Sequence, residues 1–206
     1  QLDGKDDWIN LGQMSFRTNQ VTLDLTTMIL SKPSKNTTLI GNLESGGVAL
    51  GLTTDLKPTM QINVGGTYYK AVSSSAISLN QKVHVLGVYD GTNIMIFVNG
   101  QLTGKTAQTG AIKEPGKSTV MSIGSNPSGN SAGIEFTNMR VYMAHIYDKA
   151  YWDVSEKGDN SILAWTVNGN GSGTKKVYIA SKGNIYANAD ASYMFSNIGA
   201  ASICTA

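Results

Sequence analysis

The amino-acid sequence predicts an all-β protein built as a sandwich of two antiparallel sheets, and three observations support this fold class. The chain has 23 glycines but only 15% charged residues, a composition typical of proteins with many short strands and turns. Apolar runs of strand length recur, separated by turn signals at intervals of about 8 to 12 residues. Apolar residues make up 41% of the 206 residues, so the chain can bury one large core.

The first third of the chain contains a series of predicted strands. Each is rich in apolar and β-branched residues and is bounded by glycine, asparagine or serine. The strand near residue 21 alternates at first and then becomes continuously apolar, as expected for a strand that enters the core. The predicted strands are residues 8–11, 21–30, 38–41, 47–52, 56–64 and 67–72.

The middle of the chain is predicted to form an antiparallel meander. Residues 83–89 and 94–98 are two apolar runs, and residues 90–93 provide a turn between them. Asn99-Gly100 then turns the chain again, because a type I′ turn needs positive φ at both central residues and Asn and Gly accept it most easily. Both faces of the first run are largely apolar, which predicts a central strand.

The last strands of the sandwich follow a polar loop predicted at residues 104–117. Residues 120–124 form a strand, residues 125–133 form a loop rich in turn residues, and residues 134–146 form a long strand. The character of the chain then changes near Gly158, which predicts a sandwich domain at residues 1–158 and a small β-rich segment at 159–206. The predicted strands of that segment are residues 162–167, 176–180 and 184–187, and the segment is too short to predict an independent core.

Several stretches of the sequence together resemble a known family. The strings HVLGVYDGT at residues 84–92 and IFVNGQL at 96–102 are similar to the signature hairpin of laminin-G-like domains in the concanavalin A-like lectin and glucanase superfamily. Residues 2–12 resemble its opening strand, and residues 123–124 with 136–142 resemble its closing strands. The resemblance implies a jelly-roll sandwich and, most often, carbohydrate or protein binding. Residues in the tail, 191–197, resemble the start of a bacterial surface repeat region.

Charge and composition exclude several classes of partner. The chain has 16 basic and 14 acidic residues, a net charge of +2, with no basic stripe for nucleic acid or an anionic membrane surface. Apolar runs are shorter than the roughly 20 residues needed to span a bilayer. Cys204 is the single cysteine, which excludes an intrachain disulfide framework. The first residue is not Met, so we expect a piece of a longer protein or a processed chain.

Catalytic patterns are absent, and the sequence predicts that the protein is not an enzyme. Glucanases of the resembled superfamily use a string of the form Glu-x-Asp-x-(x)-Glu, because glycoside hydrolysis needs two nearby carboxylates. The chain has no such string, and its glutamates lie in separate segments. The only histidines are His84 and His145. The sequence also contains no nucleophile elbow, no zinc-ligand spacing and no dinucleotide-binding fingerprint. The glutamates are Glu44, Glu114, Glu135 and Glu156.

The remaining chemistry is that of ligand binding. Saccharides are recognised by aromatic faces and by planar polar groups that satisfy their hydroxyls. Residues of these types occur in the predicted loops and near the turns, although each of them could instead serve packing or turn geometry. The candidates are Tyr68, Tyr69, Asp90, Asn126, Asn130 and Trp152.

A calcium site is predicted beside the opening strand. Asp3, Asp6 and Asp7 place three carboxylates within five residues, and Ca²⁺ prefers such oxygen ligands. First and last strands are often neighbours in a jelly roll, so the loop at residues 125–133 could add carbonyl ligands. The alternative is a turn of solvated aspartates.

The sequence therefore leads to two functional hypotheses, with a glycosidase that uses Glu135 as a third that the missing carboxylate pair disfavours. The first is a non-catalytic carbohydrate-binding or adhesion module of a bacterial surface protein or phage appendage, located outside the cell, on its surface or on a virion. Its partner would be a glycan or cell-surface polysaccharide. The second is a structural domain that binds other structural proteins and no sugar. Neither hypothesis includes nucleic acid as a partner or insertion into a membrane.

Overall fold

The computed structural model describes residues 1–16, 19–148, 151–153, 162–168 and 175–181. Within these residues the regular structure consists of β-strands, and no helix in them is long and apolar enough to cross a membrane. In chain order, the strands are β1 (Leu2–Asp3), β2 (Ile9–Gln13), β3 (Val21–Ile29), β4 (Thr37–Gly41), β5 (Val48–Leu52), β6 (Pro58–Val64), β7 (Thr67–Val72), β8 (Lys82–Tyr89), β9 (Asn93–Val98), β10 (Gln101–Ala107), β11 (Val120–Ile123), β12 (Asn126–Ser128), β13 (Ser131–Ile134), β14 (Asn138–Tyr147), β15 (Tyr151–Asp153), β16 (Ile162–Asn168) and β17 (Lys175–Ser181).

The strands form two six-stranded antiparallel sheets, which confirms the predicted sandwich. The first sheet has the order β1-β14-β3-β8-β9-β10, and the second has the order β2-β11-β4-β5-β6-β7. Each sheet therefore combines strands from the beginning, the middle and the end of the sandwich sequence. Such non-sequential neighbours are typical of a jelly roll.

The core lies between the two sheets. Leu23 and Val85 point into it from the first sheet, and Leu50 and Ile62 point into it from the second; all four are 0% exposed. Each alternates along its strand with residues on the opposite face, because successive side chains of a strand point to opposite sides. The core therefore occupies one face of each sheet and leaves the other faces for other roles.

Gly87 allows the two sheets to approach closely. A Cβ atom at this position would lie 2.6 Å from Leu50 Cδ2 and 2.7 Å from Met60 Sδ. Both neighbours belong to the second sheet, whereas Gly87 belongs to β8 of the first. The missing side chain therefore makes room for the packing of one sheet against the other.

The predicted meander is confirmed. β8 lies between β3 and β9 inside the first sheet, as its two apolar faces indicate. Asn99 and Gly100 have φ values of 49° and 80°, the positive values that a type I′ turn requires. At the end of β8, the buried Tyr89 hydroxyl donates a hydrogen bond of 2.6 Å to the Gly110 carbonyl.

Two segments predicted as loops contain strands instead. The loop expected from residue 104 begins later, since β10 continues to Ala107 and pairs with Asn93 of β9. Residues 125–133 form most of a hairpin of β12 and β13, with Gly129 at φ 58° between them. In both segments, pairing with a neighbouring strand produces the strand. Polar residues can form these hydrogen bonds through their main chain as well as apolar residues can.

The long strand predicted from residue 134 begins only at Asn138. Glu135 has a φ of 65°, a left-handed conformation that interrupts an extended strand. Its carbonyl accepts a hydrogen bond of 3.1 Å from the Thr38 backbone N–H. The break therefore redirects residues 135–137 toward β4 of the second sheet before the chain enters the first.

The C-terminal strands β15, β16 and β17 form a three-stranded antiparallel sheet. β16 and β17 match the strands predicted at residues 162–167 and 176–180 closely. The predicted strand at residues 184–187 and the boundary between residues 158 and 159 lie outside the described residues. The division into two domains therefore stays a prediction.

Candidate functional site

The outer face of the second sheet has a floor of small residues. Along β5, Val48, Leu50 and Leu52 are buried in the core, so Ala49 and Gly51 between them face the other way. Both line a cleft on that face. Since neither residue has a side chain larger than a methyl group, the floor leaves space above the sheet.

One side of the cleft is built by β6 and β7. Met60 and Ile62 of β6 belong to the core, and the residues that alternate with them face the cleft. Gln61 pairs with Ala49 on one side and with Lys70 on the other, which places its carboxamide beside the floor. Thr59 and Gln61 of β6, with Tyr68 and Lys70 of β7, line this side.

The opposite side is built around β4 and the break before β14. Thr38 Oγ1 donates a hydrogen bond of 2.9 Å to Glu135 Oε2, and Thr137 Oγ1 donates one of 2.9 Å to the Thr38 carbonyl. These bonds hold the Glu135 carboxylate against β4. Non-glycine residues with positive φ often occur at binding sites, where surrounding contacts maintain them.

These two sides enclose a cleft with a volume of about 250 Å³. Its lining is mostly polar, with one aromatic and a few aliphatic side chains. The lining residues are Asn36, Thr37, Thr38, Leu43, Ala49, Gly51, Leu52, Thr53, Thr59, Gln61, Tyr68, Lys70, Asn126 and Glu135.

Two polar atoms of lining residues lack a hydrogen-bond partner. The buried Asn126 Oδ1 and Thr37 Oγ1 have no partner among the described residues. Buried polar atoms normally find partners, because an unpaired one costs about 1–3 kcal/mol. Both atoms are closed to solvent, so they do not by themselves mark a contact with a ligand.

Two of the six residues predicted to bind ligand, Tyr68 and Asn126, line this cleft. Tyr68 is 42% exposed, which leaves its ring available for contact. Tyr69, on the opposite face of β7, packs against the core. Trp152 lies in β15, and its side chain is outside what the structure describes.

The other two predicted residues serve turns. Asn130, between β12 and β13, accepts a hydrogen bond of 3.0 Å from Asn10 Nδ2. Asp90 accepts bonds from the Thr92 N–H at 2.8 Å, the Thr92 hydroxyl at 2.7 Å and the Asn93 N–H at 2.6 Å. Burial raises the pKa of Asp90, but these hydrogen bonds outweigh that effect and leave its pKa below the usual value.

The acidic turn after β1 brings the predicted calcium ligands together. One carboxylate oxygen from each of Asp3, Asp6 and Asp7 lies within 4.8 Å of the others, and all three residues are exposed. Oxygens bound to one Ca²⁺ at about 2.4 Å are at most about 4.8 Å apart, a limit that the three carboxylates meet. The Lys5 N–H donates to Asp3 Oδ1 at 2.8 Å and lowers the pKa of Asp3.

A buried carboxylate lies on the outer face of the first sheet, away from the cleft. Asp24 of β3 is 0% exposed, and its Oδ1 lies 2.7 Å from His84 Nε2 on β8. Its Oδ2 lies 3.6 Å from Nδ1 of His145, which is half exposed. His84 therefore serves as a partner for a buried charge, which is the packed role expected from its apolar strand.

Sequence analysis misses several lining residues, notably Gln61, Lys70 and Thr37. The alternation in β6 and β7 contains a signal for the first two, because polar residues alternate there with core residues. This pattern shows that they face away from the core but not that they share a cleft. Glu135 is also missed as a lining residue, because its sequence context suggests only the role of a catalytic acid.

Solved structures of other proteins are similar to this chain at low sequence identity. A mutant of the NanB sialidase from Streptococcus pneumoniae is similar with a TM-score of 0.58 at 12% identity, over 78% of this chain and 26% of that chain. The CBM40 domain of the Ruminococcus gnavus IT-sialidase, solved with α2,3-sialyllactose, gives a TM-score of 0.49 at 16% identity, over 68% of this chain and 89% of that chain. A search of curated protein sequences found no match.

A family model provides the assignment. The model described as the concanavalin A-like lectin/glucanases superfamily, of the laminin-G type, matches residues 3–153. The match includes both six-stranded sheets apart from the first residue of β1. It agrees with the sequence resemblance at the central hairpin and with the sheet order. The chain therefore belongs to the concanavalin A-like lectin/glucanase superfamily.

Proposed function

We propose that the protein is a non-catalytic carbohydrate-binding or adhesion module and that the cleft on the second sheet is its saccharide site. The observation that carries the proposal is the lining itself. It combines an exposed aromatic ring, Tyr68, with the polar side chains of Gln61, Lys70 and Glu135. Aromatic faces pack against the C–H surface of a sugar, and fixed polar groups pair with its hydroxyls.

The charges of the lining support binding rather than hydrolysis. Glycosidases that act through two carboxyl groups hold them about 5 to 9.5 Å apart. Among the described lining residues, Glu135 is the one carboxylate. Its Oε2 is engaged by the Thr38 hydroxyl, which suits a fixed acceptor for a sugar hydroxyl. We infer that the cleft holds a saccharide without cleaving it.

A glycan array followed by calorimetry tests the proposal. The full chain should bind at least one class of host-surface or cell-wall saccharide, and Tyr68→Ala should weaken binding by about fivefold or more, since a ring contact contributes about 1 kcal/mol. Tyr142→Ala is the matched control. Tyr142 is 49% exposed but belongs to β14 of the first sheet, so its loss should leave the affinity unchanged.

The same experiment can overturn the proposal. Responses that are flat for every saccharide, or equal effects of Tyr68→Ala and Tyr142→Ala, would remove the cleft as a saccharide site. Flat responses together with a stable oligomer or a tight complex with a neighbouring structural protein would favour the structural-domain hypothesis.

We propose that the protein lies outside the cell, on a cell surface or on a virion, because host-surface and cell-wall saccharides are found there.

A further inference from the structure

We infer that the ligand of the cleft is an anionic saccharide, which carries a carboxylate or sulfate group that pairs with Lys70. This inference rests on the proposed saccharide site and names the chemical class that the site selects. It comes from the distribution of charge across the cleft, where a cation and an anion lie on opposite sides.

Lys70 is placed at the cleft by its strand. It is exposed, it lines the cleft, and the neighbouring Ala71 is fully buried in the core. Its carbonyl accepts a hydrogen bond of 3.0 Å from Thr106 Oγ1 of β10. This bond ties β7 to the edge of the other sheet and fixes the position of the backbone from which the side chain extends.

The Lys70 ammonium group has no ionic partner within the described part of the chain. The ion pairs recorded there join Asp24 to His84 and His145 on the other sheet. Glu135, the carboxylate that shares the cleft, forms none with Lys70, because its nitrogen–oxygen separation exceeds the limit of 4.0 Å for an ion pair. The positive charge is therefore available to a ligand.

The strand order explains why the two charges do not neutralise each other. Glu135 is held against β4 by Thr38, and Lys70 lies on β7. β4 and β7 are three strand spacings apart in the order β4-β5-β6-β7, about 14 Å between backbones. The floor of Ala49 and Gly51 lies between them, so a ligand on that floor meets an acceptor at one end and a cation at the other.

These two ends require different groups of the ligand. Glu135 Oε1 can accept a hydrogen bond, so a sugar hydroxyl can donate to it. A ligand that covers Lys70 with a neutral group removes water from an ammonium ion without compensation, which costs free energy. An anionic group offsets that cost, and repulsion by Glu135 directs it to the Lys70 end. Lysine acts as a point charge, so carboxylate and sulfate are both suitable.

Calorimetry with matched saccharide pairs tests this inference. One pair is an oligogalacturonide and its methyl ester, which differ in charge but keep the same ring. The second pair is a sulfated galactose oligosaccharide and its unsulfated form. At about 50 mM salt the charged member of at least one pair should bind about fivefold tighter or more, and this preference should shrink at about 500 mM salt. The pair that shows the preference identifies the anionic group.

Three variants assign the preference to Lys70. Lys70→Met should abolish the preference while the neutral member still binds, whereas Lys70→Arg should keep it. Lys105→Met is the control, because Lys105 is an exposed lysine of β10 outside the cleft lining. Since Lys70 is exposed, its replacement should also leave the melting temperature nearly unchanged.

The outcomes distinguish failure of this inference from failure of the proposed function. Equal binding of charged and neutral members, or a preference that survives Lys70→Met, overturns the anionic class and leaves the saccharide site intact. If no saccharide from the array or from either pair binds, the proposed function fails and the inference fails with it.

Discussion

Asp90 illustrates how a single residue defines the turn between β8 and β9. Its carboxylate accepts bonds from two backbone N–H groups, those of Thr92 and Asn93. The net effect on Asp90 is a pKa below the usual value, since the ionised form is the one that these donors stabilise. The residue therefore contributes to folding through its charge.

Replacing this carboxylate should destabilise the protein in a way that depends on pH. Asp90→Ala should lower the free energy of unfolding by about 1 to 2 kcal/mol near pH 7, because hydrogen bonds to a charged acceptor are lost. The folded pKa is lower than the unfolded value of about 3.9. The stabilisation is therefore present above that value and is lost as the pH falls through the folded pKa.

Urea denaturation of the parent and of Asp90→Ala, near pH 7 and near pH 2.5, measures this change. The gap between the two proteins should be large at the higher pH and small at the lower one. Asp55→Ala, at an exposed turn residue, is the control and should change stability by less than about 0.5 kcal/mol. A gap that stays constant with pH would show that the Asp90 charge has no role.

At the scale of an element, the turn between β1 and β2 brings the three predicted calcium ligands together. The Asp3 N–H donates to Asp7 Oδ2 at 3.0 Å, which curls the turn so that its carboxylates face one another. A Cβ atom at Gly124 would lie 3.4 Å from the Asp7 carbonyl oxygen.

We propose that this turn binds Ca²⁺ with modest affinity. If the Kd is about 0.5 mM, as in extracellular modules, about 5 mM Ca²⁺ should stabilise the native state by about 1.4 kcal/mol. The melting temperature should then rise by about 3 to 5 °C. Differential scanning calorimetry of a chelated sample before and after Ca²⁺ addition measures the rise.

Asp6→Ala separates calcium binding from a general effect of salt. This variant should lose most of the rise, and the same concentration of Mg²⁺ should not reproduce it, because Mg²⁺ gives up its water ligands reluctantly. A midpoint that does not move with Ca²⁺, or that moves equally in Asp6→Ala, would mean that the turn holds solvated aspartates.

At the scale of the whole molecule, the packing of the two sheets depends on Gly87. An added methyl group would meet Leu50 and Met60 of the opposite sheet, and overpacking of this kind typically costs about 1 to 3 kcal/mol. Gly87→Ala should therefore lower the free energy of unfolding by about 1 to 2 kcal/mol.

A double-mutant cycle with Leu50→Ala tests the origin of that loss. Leu50→Ala alone should cost about 2 to 5 kcal/mol because it leaves a cavity. In that background Gly87→Ala should cost much less, since the methyl group then has space. Additive losses in chemical denaturation would show that Gly87 serves backbone conformation and not sheet packing.

Part of the candidate site could be predicted from the sequence. Tyr68 and Asn126 have side chains suited to sugars and lie next to clear turn signals, so residue type and local pattern identify them. Lys70 and Glu135 could not be paired in this way. They are separated by many residues, and they share a cleft only because the chain after β13 returns to β4.

The sequence by itself determined most strands and turns of the sandwich and the superfamily, because period-two alternation, turn chemistry and local strings are properties of short segments. The tertiary structure alone decided the sheet order, the hairpin of β12 and β13, and the cleft. Strand alternation tells which side chains share a face. Which strands become neighbours depends on how the whole chain buries its apolar faces, and that choice brings the two sides of the cleft together.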